Sequence, residues 1–211
     1  MSPDDLKFTV VALSAVFFVV DPFAIMPVFL TITAGDSLES RKRTARRAAF
    51  AAWIMMSVFA AAGGLIFEAF GISLGAFKIA GGIMLLLMAI DMMRAQPSPT
   101  RTTEEEQRDA QARDDIAVFP LAVPMLGGPG AIATVMVLMS KANGEIWQSV
   151  SVFVAITVTC VAAWLLMRSA ARAERLLPKT LMRAFERVMG LLLAAVAVEF
   201  IAGGVRDIVG R

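Results

Sequence analysis

The chain of 211 residues has no histidine and one cysteine, Cys160. Without histidine the commonest metal ligand and the usual near-neutral proton shuttle are missing, which excludes HExxH metalloprotease and serine–histidine chemistry. A single cysteine cannot build an intrachain disulfide framework or a cysteine-based zinc site. No GxxxxGK loop occurs, so direct ATP coupling within the chain is not expected. Charge is scarce as well, with 18% charged residues and a net charge of +2. The sequence therefore predicts no enzyme activity, no metal and no cofactor, and any proton handling falls to carboxylates or Lys78.

What the chain has in abundance is apolar sequence: 58% hydrophobic residues and a mean hydropathy of +0.72. This is the composition of an integral membrane protein whose partner is the lipid bilayer. Basic residues gather at the ends of the apolar runs, so a pI near 9.0 is read as topology and nucleic-acid binding is not expected. Phe8 to Val20 has the length of a signal-peptide core, but Asp4 and Asp5 precede it and the apolar run continues to Leu30 without a small-residue cleavage site. It is taken as the first span.

Six runs reach the roughly 20 residues that a spanning helix needs. They lie near Leu6–Ala34, Ala48–Phe70, Leu74–Met93, Ile116–Ser140, Ile146–Met167 and from Arg183 to about Ile201. A tight turn at Gly71-Ile72-Ser73 separates the second from the third, and a dense basic segment, Ser40 to Arg47, precedes the second. The chain divides into a first three-helix repeat (1–93), a polar loop (94–115) and a second three-helix repeat (116–211). Connections after the first, third and fifth spans carry fifteen Lys and Arg residues against four on the other side. The positive-inside rule then places the loop in the cytoplasm and both termini outside.

Two of the runs are interrupted. Asp21-Pro22-Phe23-Ala24 breaks the first, and Gly127-Gly128-Pro129-Gly130-Ala131 breaks the fourth. Proline in a helix interior removes a hydrogen bond and clashes with the preceding turn, at roughly 3 kcal/mol. Backbone groups freed at membrane depth are tolerated only inside protein or beside a wet cavity, so a matched pair of breaks predicts a site. At an offset of 107, Pro22 to Ile25 falls on Pro129 to Ile132; at 108, Phe77, Gly82, Leu85, Ala89 and Asp91 fall on Phe185, Gly190, Leu193, Ala197 and Glu199. Each half has an odd number of spans, so the second half enters the membrane from the opposite side. That is the inverted-topology repeat of secondary transporters, in which broken helices meet near the midplane.

Asp21 is expected to cap the half-helix from Phe23 onward, followed by proline at the first helical position. Its depth also marks it for substrate or ion binding. Gly127, Gly128 and Gly130 are expected to supply positive φ angles and close backbone approach, forming a cradle of amides for a small anionic group at a helix N-terminus. A packing kink is the plainer alternative. Lys78 and Glu199 fall toward the outer half and are expected to pair or to line an outer vestibule; with Asp21 they are the ion-coupling candidates. Gly81-Gly82 and Gly203-Gly204 are read as close helix contacts.

The pairing of Val20 to Phe29 with Pro120 to Ile132 resembles the MarC family of bacterial inner-membrane proteins, over essentially the whole chain. The family pattern often has glycine two places after the first proline, where this chain has Ala24. The resemblance implies a transporter of small neutral amino acids, some of which act in export; a proton and a sodium ion are the candidate coupling partners, between which neither the residues nor the resemblance chooses. The spacing alone gives a broken-helix, inverted-repeat membrane protein with a substrate site at Asp21, Pro22, Phe23, Ala24, Gly127, Gly128, Pro129, Gly130 and Ala131. A channel and a membrane-embedded enzyme are the rivals; the first lacks a clear selectivity ring and the second a nucleophile or metal cluster.

Overall fold

The computed structural model describes residues 3–94, 117–173 and 179–210. These residues form eight helical segments and no strand: α1 (Pro3–Val20), α2 (Ile25–Ile32), α3 (Leu38–Phe70), α4 (Leu74–Met93), α5 (Ala117–Leu126), α6 (Pro129–Ala142), α7 (Ile146–Ala173) and α8 (Lys179–Val209). Four stretches, Leu38–Phe70, Leu74–Met93, Ile146–Arg172 and Arg187–Val209, are long and apolar enough to cross a membrane by length and composition. The first and fourth apolar runs each fold as two shorter helices, α1/α2 and α5/α6. The polar loop beyond Arg94 lies outside the described residues, as does the stretch 174–178.

Local chemistry sets the boundaries. Ser37 accepts a hydrogen bond from the Ser40 amide (3.2 Å) and starts α3 well ahead of the apolar run, so the basic segment forms the first turns of the helix. Gly71 ends α3 in the left-handed conformation (φ 63°), and Ser73 caps α4 by accepting from the Ala76 amide at 3.1 Å. The final span was expected to stop near Ile201, yet α8 runs to Val209: Arg206 and Asp207 find partners on or near the helix and do not end it. A feature without an expectation is α5, which is wound as a π-helix. The Gly127 amide donates five residues back to Ala122 at 2.9 Å. Prolines at 120 and 124 have no amide to donate, so a regular α-helical ladder cannot run through this segment.

α6 packs against α1, α3, α4 and α7, which explains why almost every residue from Gly130 to Leu138 is buried. α7 lies against both α1 and α3, and Thr9 and Ser151 share a hydrogen bond (2.7 Å) across the α1–α7 contact. The most extensive contact joins α4 to α8. It is an antiparallel seam with small residues at steps of seven: Gly75 faces Gly204, Gly82 faces Ala197, and Ala89 faces Gly190. A Cβ on Gly82 would lie 2.8 Å from the Ala197 carbonyl oxygen, and one on Gly190 would lie 3.0 Å from that of Ala89. These two contacts exchange under the 108-residue offset, since Gly82 corresponds to Gly190 and Ala89 to Ala197. Leu85 and Leu193, the central pair of that correspondence, are both fully buried.

Candidate functional site

The first break is organised by Asp21. Its backbone is left-handed (φ 49°), a conformation that aspartate tolerates better than most side chains, and this turns the chain out of α1. Its amide still completes α1 by donating to Phe17 O at 3.0 Å. Pro22 has no amide, which leaves the Phe18 carbonyl without its helical donor. The Ala24 amide then donates to both the Asp21 carbonyl (3.2 Å) and Asp21 Oδ1 (3.3 Å), and Met26 N–H donates to Phe23 O at 3.1 Å. One residue therefore ends a helix with its backbone and holds the following turn with its carboxylate; the expected cap of a half-helix from Phe23 is corrected, since α2 begins at Ile25 with Ala24 at its N-cap and no side-chain cap. Asp21 is 1% exposed; Pro22 is buried, while Phe23 and Ala24 are partly so.

The second break is built differently. Gly128 is extended (φ −66°, ψ 171°) and precedes Pro129, the first residue of α6. Among the described residues, positive φ falls on Asp21, Gly71, Asn143 and Gly144, and on none of the glycines of this break. The expectation of positive φ there is corrected; close approach is what those glycines provide. A Cβ on Gly127 would collide with Met55 Cε, and one on Gly130 would sit 2.5 Å from Leu85 Cδ2 and 3.6 Å from Val19 Cγ1. Gly127, Gly128, Gly130 and Ala131 are buried, and Pro129 is exposed.

Val19 is two residues before Asp21, so its contact with Gly130 brings the end of α1 to the start of α6. α2 and α5 also touch. The Ile132 amide bonds to Gly128 O at 3.0 Å, while the amides of Gly130 and Ala131 stand at the positions that have no partner within a helix. The junction thus joins a carboxylate and a freed carbonyl at the end of one helix to two amides at the positive end of another.

The MarC family model, described as MarC family integral membrane protein, matches residues 6–209. The chain is 38% identical over 202 residues to the UPF0056 membrane protein MJ1677 of Methanocaldococcus jannaschii, covering 96% of this chain and 98% of that one. It is 34% identical to the UPF0056 membrane protein YvbG of Bacillus subtilis over 95% of both chains, and 34% identical to YhcE of Escherichia coli over 91% of this chain and 89% of the relative. The chain belongs to the MarC family. No solved structure gives a significant match.

In this MarC protein Lys78 and Glu199 do not pair with each other. Lys78 forms an ion pair with Asp207, and Glu199 accepts from Arg206 at 2.9 Å. Glu199 and Arg206 are seven residues apart on the same helix and lie along its exposed face, whereas Lys78 is buried on the α4 seam, where Asp207 of α8 approaches it. All four still line one cleft of about 420 Å³, together with Lys141 and the apolar wall of Val11, Val137 and Leu138. Among the described residues no group of three His, Cys, Asp or Glu side chains could hold a metal ion.

Arg41 is a residue whose part was not foreseen. In the sequence it is one of five basic residues in a topology signal, but it is 7% exposed and donates to the Thr33 carbonyl (Nε, 2.8 Å) and the Ala34 carbonyl (3.0 Å). It thereby closes the C-terminal end of α2. The available signal was its distance of eight residues from a helix end lacking any basic side chain.

Proposed function

We propose that this chain is a secondary transporter of small neutral amino acids, built from two inverted three-helix repeats with α1/α2 and α5/α6 as broken spans. It sits in the cytoplasmic membrane with both termini outside. The observation that carries the reading is the meeting of two interrupted helices around a buried carboxylate, at Val19–Asp21 and Gly130. An α-amino acid has complementary ends. Its ammonium group suits Asp21 and the freed carbonyl of Phe18, and its carboxylate suits the Gly130 and Ala131 amides at the positive end of α6.

The repeat is supported by the exchange of Gly82–Ala197 with Gly190–Ala89 under the 108-residue offset. Alternating access is supported by the cleft beside Lys78, which ends at Val137 and Leu138, two turns of α6 short of Gly130. Asp21 is the first candidate for proton or sodium coupling, with Lys78 and Glu199 at the outer entrance. The substrate class rests on the family resemblance. Counterflow of labelled glycine, alanine and serine into proteoliposomes tests it: saturable exchange of at least one supports transport, and unsaturable flux of all three favours a channel.

A further inference from the structure

We propose that the groove between α3 and α7 is a binding site for an anionic phospholipid. It has a volume of about 290 Å³ and shares no lining residue with the cleft beside Lys78. Arg46, Phe50 and Trp53 of α3 recur on one helical face, and Cys160 and Trp164 of α7 line the opposite wall. The floor is hydrocarbon in character. Trp53 spends its indole N–H on Thr157 Oγ1 at 2.9 Å, and Thr157 in turn donates to Phe153 O at 2.8 Å. Phe50 stacks on Trp53 with ring centroids 5.9 Å apart and planes 12° from parallel.

One end of this apolar groove is cationic. Arg46 precedes the uncharged stretch from Ala48 to Phe67, and Arg168 follows the uncharged stretch from Ile146 to Met167. Both guanidinium groups therefore lie at the same membrane boundary, where lipid phosphates lie. Arg168 sits 5.4 Å from the Trp164 ring centroid, and Arg46 has no ion-pair partner among the described residues. No acidic residue occurs between Ser40 and Phe67 or between Ile146 and Ala173, so the local charge favours an anion. Seven residues separate Arg46 from Trp53, about 10 Å of helix, which accommodates the first part of an acyl chain below the phosphate. Arginine suits this role because its planar fork binds phosphate oxygens in pairs.

The chain has three tryptophans, and Trp147→Phe leaves only the two that line the groove. That variant, reconstituted in phosphatidylcholine vesicles, is titrated with brominated phosphatidylglycerol and, separately, with brominated phosphatidylcholine. The anionic lipid is expected to quench at a several-fold lower mole fraction and to saturate. Arg46→Gln should weaken that preference about fivefold, and adding Arg168→Gln should abolish it, while Arg43→Gln with Arg47→Gln leaves it in place. Equal quenching by the two lipids overturns the site. So does a preference that survives the Arg46/Arg168 double change, or one lost equally with Arg43 and Arg47, which marks a diffuse basic belt. If the double variant does not fold, the titration of Trp147→Phe decides alone: saturation at low mole fraction supports a site, and quenching proportional to bulk composition overturns it.

Discussion

Glycine does different work at the α4–α8 seam and at the two breaks. Along the seam, Gly75, Gly82, Gly190 and Gly204 face backbone: the nearest atoms to an added Cβ include the carbonyl oxygens of Gly204, Ala197, Ala89 and Gly75. At the second break an added Cβ would first meet the ends of flexible side chains, Met55 Cε at Gly127 and Leu85 Cδ2 at Gly130, with backbone no nearer than Ala122 O, 3.3 Å from the Gly127 position. A packed helix backbone cannot withdraw from an intruding atom, whereas a side-chain tip moves by rotamer change. The seam is thus suited to hold its geometry and the break to alter it, the division that alternating access requires.

The sharpest way to break this contrast is to add a side chain on the rigid side. Gly82→Val is expected to be the most damaging change, because its Cβ would meet Ala197 O at 2.8 Å, Ile201 Cγ1 at 2.7 Å and Ile201 N at 3.1 Å. Overpacking costs about 1–3 kcal/mol where neighbours can relax, and here they cannot, so a loss at or beyond the upper end is expected. Thermal unfolding and size-exclusion profiles in detergent measure it. A variant that melts with the parent would mean that the seam is not rigid.

Gly130→Ala should stand next in stability and first in its effect on transport. Leu85 Cδ2 lies 2.5 Å from the added Cβ but is free to rotate, so a cost of about 1 kcal/mol is expected, with counterflow reduced at least tenfold. Combining it with Leu85→Ala should relieve the added contact, recovering less stability than it removes, because Leu85 is fully buried. If counterflow is unaffected in Gly130→Ala, this break is not part of the site.

The two breaks were legible in the sequence because proline acts locally: Pro22 and Pro129 each remove a backbone donor from a long apolar run, and Asp21 and the neighbouring glycines mark where the chain turns. Asp21 was half legible: the Asp-Pro pair marks the end of α1, but its carboxylate holds the turn to Ala24, and α2 starts only at Ile25. The charge pairs were not legible, because Lys78 meets Asp207 only through the register of the α4–α8 seam, whereas position along the spans pointed instead to a pairing of Lys78 with Glu199. The role of the glycines was half legible. Composition announces that a Cβ is absent, but whether the reason is dihedral freedom or a neighbour's approach depends on Met55 and Leu85, distant in sequence. The π-winding of α5 was hidden because two prolines four residues apart predict disruption without specifying its form.

A third measurement compares the two breaks with each other. Asp21 combines a left-handed backbone with a side-chain hydrogen bond to the Ala24 amide, so Asp21→Ala should lose about 1 kcal/mol for that bond and a similar amount for the left-handed conformation. Asp21→Asn keeps both features and should unfold within about 0.5 kcal/mol of the parent. Under the proposed function the asparagine variant still binds substrate but changes the pH dependence of transport between pH 5 and 8, because the ionisable group at the junction is gone. Superimposable profiles would reduce Asp21 to a structural residue and make the two breaks functionally alike.

The smallest effect is expected at the charges around Lys78, where the seam reaches the cleft. Glu199 and Arg206 form an exposed pair, with side-chain exposures of 75% and 70%, and such pairs contribute about 0–1 kcal/mol. Glu199→Gln should therefore leave the melting temperature nearly unchanged and counterflow within about twofold. Lys78 contrasts with it: its side chain is 10% exposed and bridges α4 to Asp207 on α8, so Lys78→Met replaces a largely desolvated cation and strands a more exposed carboxylate that water can still reach. Loss of the pair is offset in part by better burial of the methionine, and the net change is expected to be modest, about 1 kcal/mol. If Glu199→Gln instead lowers transport more than Lys78→Met, coupling resides on the exposed face of α8, and the cleft has a larger part in transport than an entrance.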